Sequence, residues 1–227
     1  MKKVSIIFAI LFSFSALNAQ EVLTEGSLVF EASSIKSSNS NLQQAMKGAT
    51  NEVCFKGTLH KSDIQMMNGV IHIQSVKDET TRESTVYLDL MGKQMKVTVP
   101  DSVQKVKQKE MDDNTNITYD EATTKTIQGY KCYKATVETL KPDGSVQEYQ
   151  LYITDAIKVT ASAVSGLPKG LKGFPLEYTM KVGDTEIGYT LKTLTKTLAL
   201  NALKMPDTYP VMDYKEFEAG MGKKLGL

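Results

Sequence analysis

Nucleophilic, acid–base and metal-binding chemistry would have to start from very few side chains. The 227 residues include two histidines, His60 and His72, and two cysteines, Cys54 and Cys132. A working histidine needs a carboxylate or a second ligand to set its tautomer. Asp63 lies near His60 in sequence, but both histidines fall on the wetter sides of alternating segments and read as exposed. The stretch Asp112–Asp113–Asn114–Thr115–Asn116 spaces oxygen ligands as a calcium loop does. Ile117 then replaces the glycine of such a loop and Thr123 its closing glutamate, so it reads as a polar loop. No serine sits in a G-x-S-x-G elbow. Asp101–Ser102–Val103 matches a three-residue O-glycan acceptor pattern, which is too short to carry weight. These residues define no catalytic set, no metal site and no cofactor site.

The cysteines lack a C-x-x-C spacing, so redox catalysis of the thioredoxin type is unsupported. Each shares its strand side with polar residues, Cys54 with Lys56 and Thr58, and Cys132 with Lys134 and Thr136. A Cys54–Cys132 disulfide and two free thiols both remain open, because spacing alone does not bring two cysteines within bridging distance. The glycine-rich stretch Gly166–Pro175 invites a phosphate-loop reading. Its glycines at 166, 170 and 173 have the wrong spacing, an alternating segment follows instead of a helix, and Pro168 and Pro175 lack the N–H that a phosphate would use. It is expected to be a crossing loop that feeds a strand.

The elements that would hold these residues are mainly strands. Apolar and polar residues alternate around Leu28–Ala32, Val53–His60, Val70–Val76, Val86–Met91, Met95–Val99, Tyr133–Val137, Tyr149–Ile153, Leu176–Val182 and Ile187–Leu191. Period-two alternation predicts strands with one apolar and one wet face, hence an antiparallel sheet. Tight-turn sequences at 67–70, 90–94, 141–145 and 182–186 predict consecutive hairpins. Helix signals are few. Leu42, Ala45, Met46 and Ala49 form one stripe with Ser40 as the expected cap. Tyr214, Phe217 and Met221 form another behind Asp213, with Glu216 placed as in a capping box. The segment 101–113 has only Val103 and Val106 as an apolar edge and reads as a weak helix or an exposed strand. The expectation is an α+β, mainly β chain: one curved antiparallel sheet covered by two or three helices.

Residues 1–19 carry Lys2, Lys3 and an apolar run from Val4 to Leu17, followed by Ala19. They read as a secretory signal peptide cleaved after Ala19. The run is shorter than the ~20 residues that span a bilayer, and no second run follows, so no transmembrane anchor is expected. With no cysteine near the cut, no lipid anchor is expected either. Removing 19 residues, two of them lysines, leaves 208 residues with 25 basic and 26 acidic side chains, read as a single domain over 20–227. That balance argues against a nucleic-acid partner.

Four segments in order carry a resemblance: Gly129, Tyr130 and Cys132; Tyr152, Thr154 and Asp155; Gly173, Phe174, Pro175 and Leu176; and Pro206 and Tyr209. Over 124–217 the chain resembles a family of exported bacterial proteins of unknown function, similar in fold to the lipoprotein carriers LolA and LolB. The resemblance implies an unclosed half-barrel with an apolar interior, and a periplasmic or secreted location. Fold likeness leaves function open. The leading expectation is a non-catalytic module that takes a lipid, acyl chain or other apolar ligand. Its candidate lining is Leu88, Leu90, Val97, Leu151, Ile153, Leu176, Tyr178 and Met180, residues that would serve equally as a filled core. The second expectation is an envelope protein–protein interaction module, and a hydrolase ranks last. Oligomeric state is open.

Overall fold

Alternation of this kind leaves each strand with one face to bury, and antiparallel hairpins bury all of them on the same side. The computed structural model describes residues 21–222 apart from 142, 165, 183 and 184; the segment read from sequence as a signal peptide lies outside the described residues. Six strands form an N-terminal meander: β1 (Glu25–Lys36), β2 (Thr50–Lys56), β3 (Leu59–Met66), β4 (Ile71–Asp78), β5 (Ser84–Leu90) and β6 (Lys93–Val99). Five more follow: β7 (Thr115–Ile127), β8 (Tyr130–Leu140), β9 (Val146–Thr154), β10 (Phe174–Val182) and β11 (Thr185–Thr195). They make one 11-stranded antiparallel sheet in the order β6-β5-β4-β3-β2-β1-β11-β10-β9-β8-β7. The β1–β11 ladder joins the two meanders, while β6 and β7 remain unpaired with each other, so the half-barrel is unclosed.

This topology places a demand on the chain between β6 and β7. It must travel from one edge of the sheet to the other, and α2 (Asp101–Asp113) makes that crossing. The other helices are short: α1 (Ser40–Met46) and α3 (Tyr214–Phe217). Asn39, not Ser40, caps α1; its Oδ1 accepts from the N–H groups of Asn41 and Leu42 at 3.0 and 3.2 Å. Asp213 caps α3 as expected.

The register explains where the core lies. The rows Leu28–Val53–Ser62–Ser75–Val86–Val97 and Phe30–Asn51–Ile64–Ile73–Leu88–Met95 run across paired strands and therefore share the inner face. Their centre is polar. Ser62 and Ser75 interrupt the first row, and the neighbouring row passes from Phe55 through His60 to Lys77. The apolar interior is accordingly split in two. The larger cluster gathers Leu28, Phe30, Phe55, Leu151, Phe174 and Tyr178 with their neighbours. The smaller holds Val86, Leu88, Met95 and Val97 under Phe217 of α3. Each fully buried Leu or Phe contributes about 1.5–3 kcal/mol.

The larger cluster is covered by the connection between β9 and β10. Ala156, Ile157, Ala161, Ala163, Val164, Leu167 and Leu171 from this segment are buried in it. The Gly–Pro stretch is therefore half plug and half lead-in to β10. Gly173 is required where it lies: a Cβ there would sit 2.9 Å from the Thr154 carbonyl oxygen. The C-terminal segment closes the β6 edge, with Lys96 N–H donating to the Pro210 carbonyl at 2.8 Å and Met212 N–H to the Lys96 carbonyl at 2.9 Å.

Two strands escaped the sequence reading, and 101–113 resolved to a helix. The run Val53–His60 is two strands turned at Gly57, whose φ of 58° favours glycine. β3 then carries His60 and Ser62 on its inner face and shows no apolar alternation. β7 is an edge strand with most of its residues exposed, so its sequence needs no apolar stripe. The calcium-like residues disperse: Asp112 lies in the last turn of α2, Asn114 caps it and Asn116 is the second residue of β7.

Candidate functional site

A cleft lies under α2. This helix is 13 residues long, yet none of its side chains is buried. Its start is tied to the sheet and its end is capped. Gln104 Nε2 donates to the Val99 carbonyl at 2.9 Å and to the Arg82 carbonyl at 3.1 Å, tying the first turn to β6 and to the β4–β5 turn. At the far end Asn114 folds back onto the Glu110 carbonyl through its side chain at 2.7 Å. Intrahelical ion pairs Lys105–Asp101 and Lys109–Asp113 make the helix locally self-sufficient. Between the helix, the end of β4 and the plug segment lies a cleft of about 750 Å³.

Its walls are mixed in character. Leu167 and Met111 supply apolar surface, and the sheet side supplies Lys77, Glu79 and Arg82. Glu79 organises this wall. It accepts from Lys77 Nζ at 2.9 Å and Lys169 Nζ at 3.4 Å, and the Thr160 and Ser162 hydroxyls reach it at 3.3 and 3.4 Å. Burial works to raise this carboxyl, but the hydrogen bond and charge of Lys77, with the charges of Lys169 and His60, bring it down to about 2. His60, the cross-strand partner of Lys77, is 4 % exposed. Burial first, and the Lys77 charge second, push its imidazole down to about 4. It is a neutral inner-face residue, where the sequence suggested an exposed one.

The eight residues proposed as a ligand lining do not come together as one surface. Leu151, Ile153, Leu176 and Tyr178 belong to the larger cluster under the plug, with Met180 packed half-buried at its margin. Leu88 and Val97 belong to the smaller cluster under α3, with half-buried Leu90 beside them. Tyr178 is locked from three sides: it stacks on Tyr189 at 5.3 Å, meets Phe30 edge-on at 5.2 Å, and accepts a 3.0 Å hydrogen bond from Asn51.

Cys54 and Cys132 are buried free thiols on β2 and β8, with four strands of the sheet between them. Burial, with Glu52 adding to it, pushes the Cys54 thiol up to about 11, and burial pushes Cys132 up to about 12. Such thiols are poor nucleophiles.

On the outer face, Asp63 pairs with His72 and not with the sequence neighbour His60. The His72 Nε2–Asp63 Oδ1 distance is 2.6 Å, and Gln74 donates to Oδ2 at 2.6 Å. Burial works to raise the Asp63 carboxyl, but hydrogen bonds from Gln74 and His72 and the nearby charges hold it below its usual value. A second cleft, of about 390 Å³, is lined by Tyr133, Thr154 and Asp155, and the Tyr133 hydroxyl donates to Asp155 at 3.0 Å. Among the described residues no group of three or more His, Cys, Asp or Glu is placed to hold a metal ion, and no helix is long and apolar enough to cross a membrane.

The cleft residues Lys77, Glu79, Arg82 and Lys169 were not foreseen. Their one sequence signal is that Arg82 is the only arginine in the chain. Their convergence needs the plug and the α2 crossing, which no local pattern reports.

The sequence matches no known protein-family profile and no curated protein. Among solved structures, the Mycobacterium tuberculosis lipoprotein LppX is similar at 12% identity over 78% of this chain and 90% of that one, with a TM-score of 0.38. LprF from Mycobacterium bovis is similar at 12% identity over 80% and 89%, with a TM-score of 0.33. MucB is similar at 9% identity over 85% of this chain and 60% of its own, with a TM-score of 0.41.

Proposed function

We propose that this is an exported, non-catalytic binding module that takes an amphiphilic or apolar ligand, such as a lipid or acyl chain, in the cleft beneath α2. The observation that carries the reading is the helix itself. A 13-residue helix spans the mouth of the half-barrel with no buried side chain and leaves about 750 Å³ beneath it. Small-molecule sites occupy roughly 300–1,000 Å³. Along its length of about 20 Å the helix would cover an extended chain. The wall facing the helix is formed by Lys77, Glu79 and Arg82, with Leu167 of the plug presenting the edge of the larger cluster. The non-catalytic part of the reading draws on the two buried thiols, which burial pushes up to about 11 at Cys54 and about 12 at Cys132.

Native mass spectrometry of the protein purified from the periplasm of its own host, followed by organic extraction, tests this. A co-purifying amphiphile, lost in Met111→Glu while the thermal midpoint is kept, is the expected result. A ligand-free mass under gentle conditions, together with no binding of added alkyl ligands, refutes it. A second reading, docking of an envelope protein, draws on exposed Met67, Val70 and Met91 at adjoining hairpin tips, where Met91 N–H donates to the Val70 carbonyl at 3.0 Å. Cross-linking in the host envelope tests it.

A further inference from the structure

The sheet-side wall of the cleft is more positive than its other features require. Lys77 and Lys169 share a single carboxylate, Glu79, at 2.9 and 3.4 Å. Arg82 stands beside them at the β4–β5 turn, with its backbone in the left-handed region at φ 60°. Among the described residues no hydrogen bond or ion pair engages its guanidinium, although its carbonyl anchors Gln104 of α2. The α2 wall is closer to balance, because Lys105 is matched by Asp101 and Lys109 by Asp113. Over the whole lining, six basic side chains face four acidic ones. The excess lies where the plug, the hairpin and the helix start converge.

Repulsion among Lys77, Lys169 and Arg82 in a partly enclosed space favours a bound anion. A guanidinium fork fits the paired oxygens of a phosphate or carboxylate, and two ammonium groups complete the coordination. Resting on the reading of the cleft as an amphiphile site, the geometry points to a ligand with an anionic oxygen headgroup, a phosphate or carboxylate, bound at Arg82, Lys77 and Lys169. The alkyl portion then extends under α2 past Leu167 and Met111. Glu79 is a positioning residue: it holds both lysines against the plug, and the ligand anion supplies their second partner.

Calorimetric titration of the signal-peptide-free chain at low salt, with all alkyl compounds below their micelle concentrations, tests the inference. The probes are decyl phosphate, decyl maltoside and inorganic phosphate. Decyl phosphate is expected to bind about tenfold or more tightly than decyl maltoside, the worth of one charge-assisted contact. Arg82→Gln and Lys169→Gln are each expected to remove that preference by weakening decyl phosphate binding. Arg82 lies exposed in a turn, so a far-ultraviolet spectrum and melting curve like those of the parent are expected. Inorganic phosphate is expected to bind far more weakly than decyl phosphate. Equal binding of the two alkyl ligands, or a preference that survives Arg82→Gln, overturns the headgroup assignment while the amphiphile reading stands. Inorganic phosphate binding as tightly as decyl phosphate shows an anion site with no alkyl component, and overturns it as well. Failure of both alkyl ligands to bind overturns the amphiphile reading itself.

Discussion

Acid should destabilise this protein through His60 before its carboxylates protonate. The imidazole is buried on the inner face opposite Phe55 and Lys77 and titrates near 4, against 6.5 in an unfolded chain. Lys77, Asp78 and Glu79 are the charged groups acting on it. Between those two values the unfolded state binds more protons than the folded one, so stability rises with pH. The contribution is fully present above pH 6.5 and is lost as pH falls toward 4. Taking the two pKa values, the loss between pH 8 and pH 4.5 is about 2.5 kcal/mol. The window stops at 4.5 because Glu79, depressed from 4.5 to about 2, loses its own contribution only below that point. Urea denaturation followed by far-ultraviolet circular dichroism suits a chain with no tryptophan. The midpoint should stay nearly level from pH 8 to about 6.5 and fall from there to 4.5, and His60→Gln should flatten most of that slope. A wild-type stability that does not change over this range refutes the reasoning, as does an equal fall in the variant.

Three further outcomes are expected. Cys54 and Cys132 should resist a thiol reagent at pH 8 in the native protein, and both should react in urea without reductant; two thiols that stay silent in urea would reveal a disulfide. Leu151→Ala and Leu88→Ala, one in each cluster, should each cost about 2–5 kcal/mol in urea denaturation, and a loss under 1 kcal/mol at either would mean that its cluster is loosely packed. Asp213→Ala removes the acceptor for the Lys215 and Glu216 N–H groups at 2.8 and 3.4 Å. It should cost about 1 kcal/mol, and amide exchange in α3 should rise with it.

The strands with an apolar stripe were legible because a half-buried strand repeats every two residues. Val86, Leu88 and Leu90, or Leu151 and Ile153, announce their face locally. β3 and β7 were not legible, for two different reasons. The inner face of β3 is polar at His60 and Ser62, and β7 is an edge strand with little to bury. The choice of helix for 101–113 was also beyond local pattern, since Val103 and Val106 make no core-facing stripe and the helix buries none of its residues.

Composition and alternation by themselves determined that the chain is mainly β and antiparallel. These properties follow from local chemistry and from periodicity, which each segment carries alone. Tertiary structure decided which apolar residues became filled core. The plug from 156–171 seals one cluster and Phe217 seals the other, and neither cover is adjacent in sequence to what it covers. It also decided that His72 and not His60 meets Asp63, because a hairpin register sets cross-strand neighbours regardless of chain distance. The cleft, and the meeting of Lys77, Arg82 and Lys169 in it, arise only because the β1–β11 pairing leaves β6 and β7 as opposite edges and obliges α2 to span the opening between them.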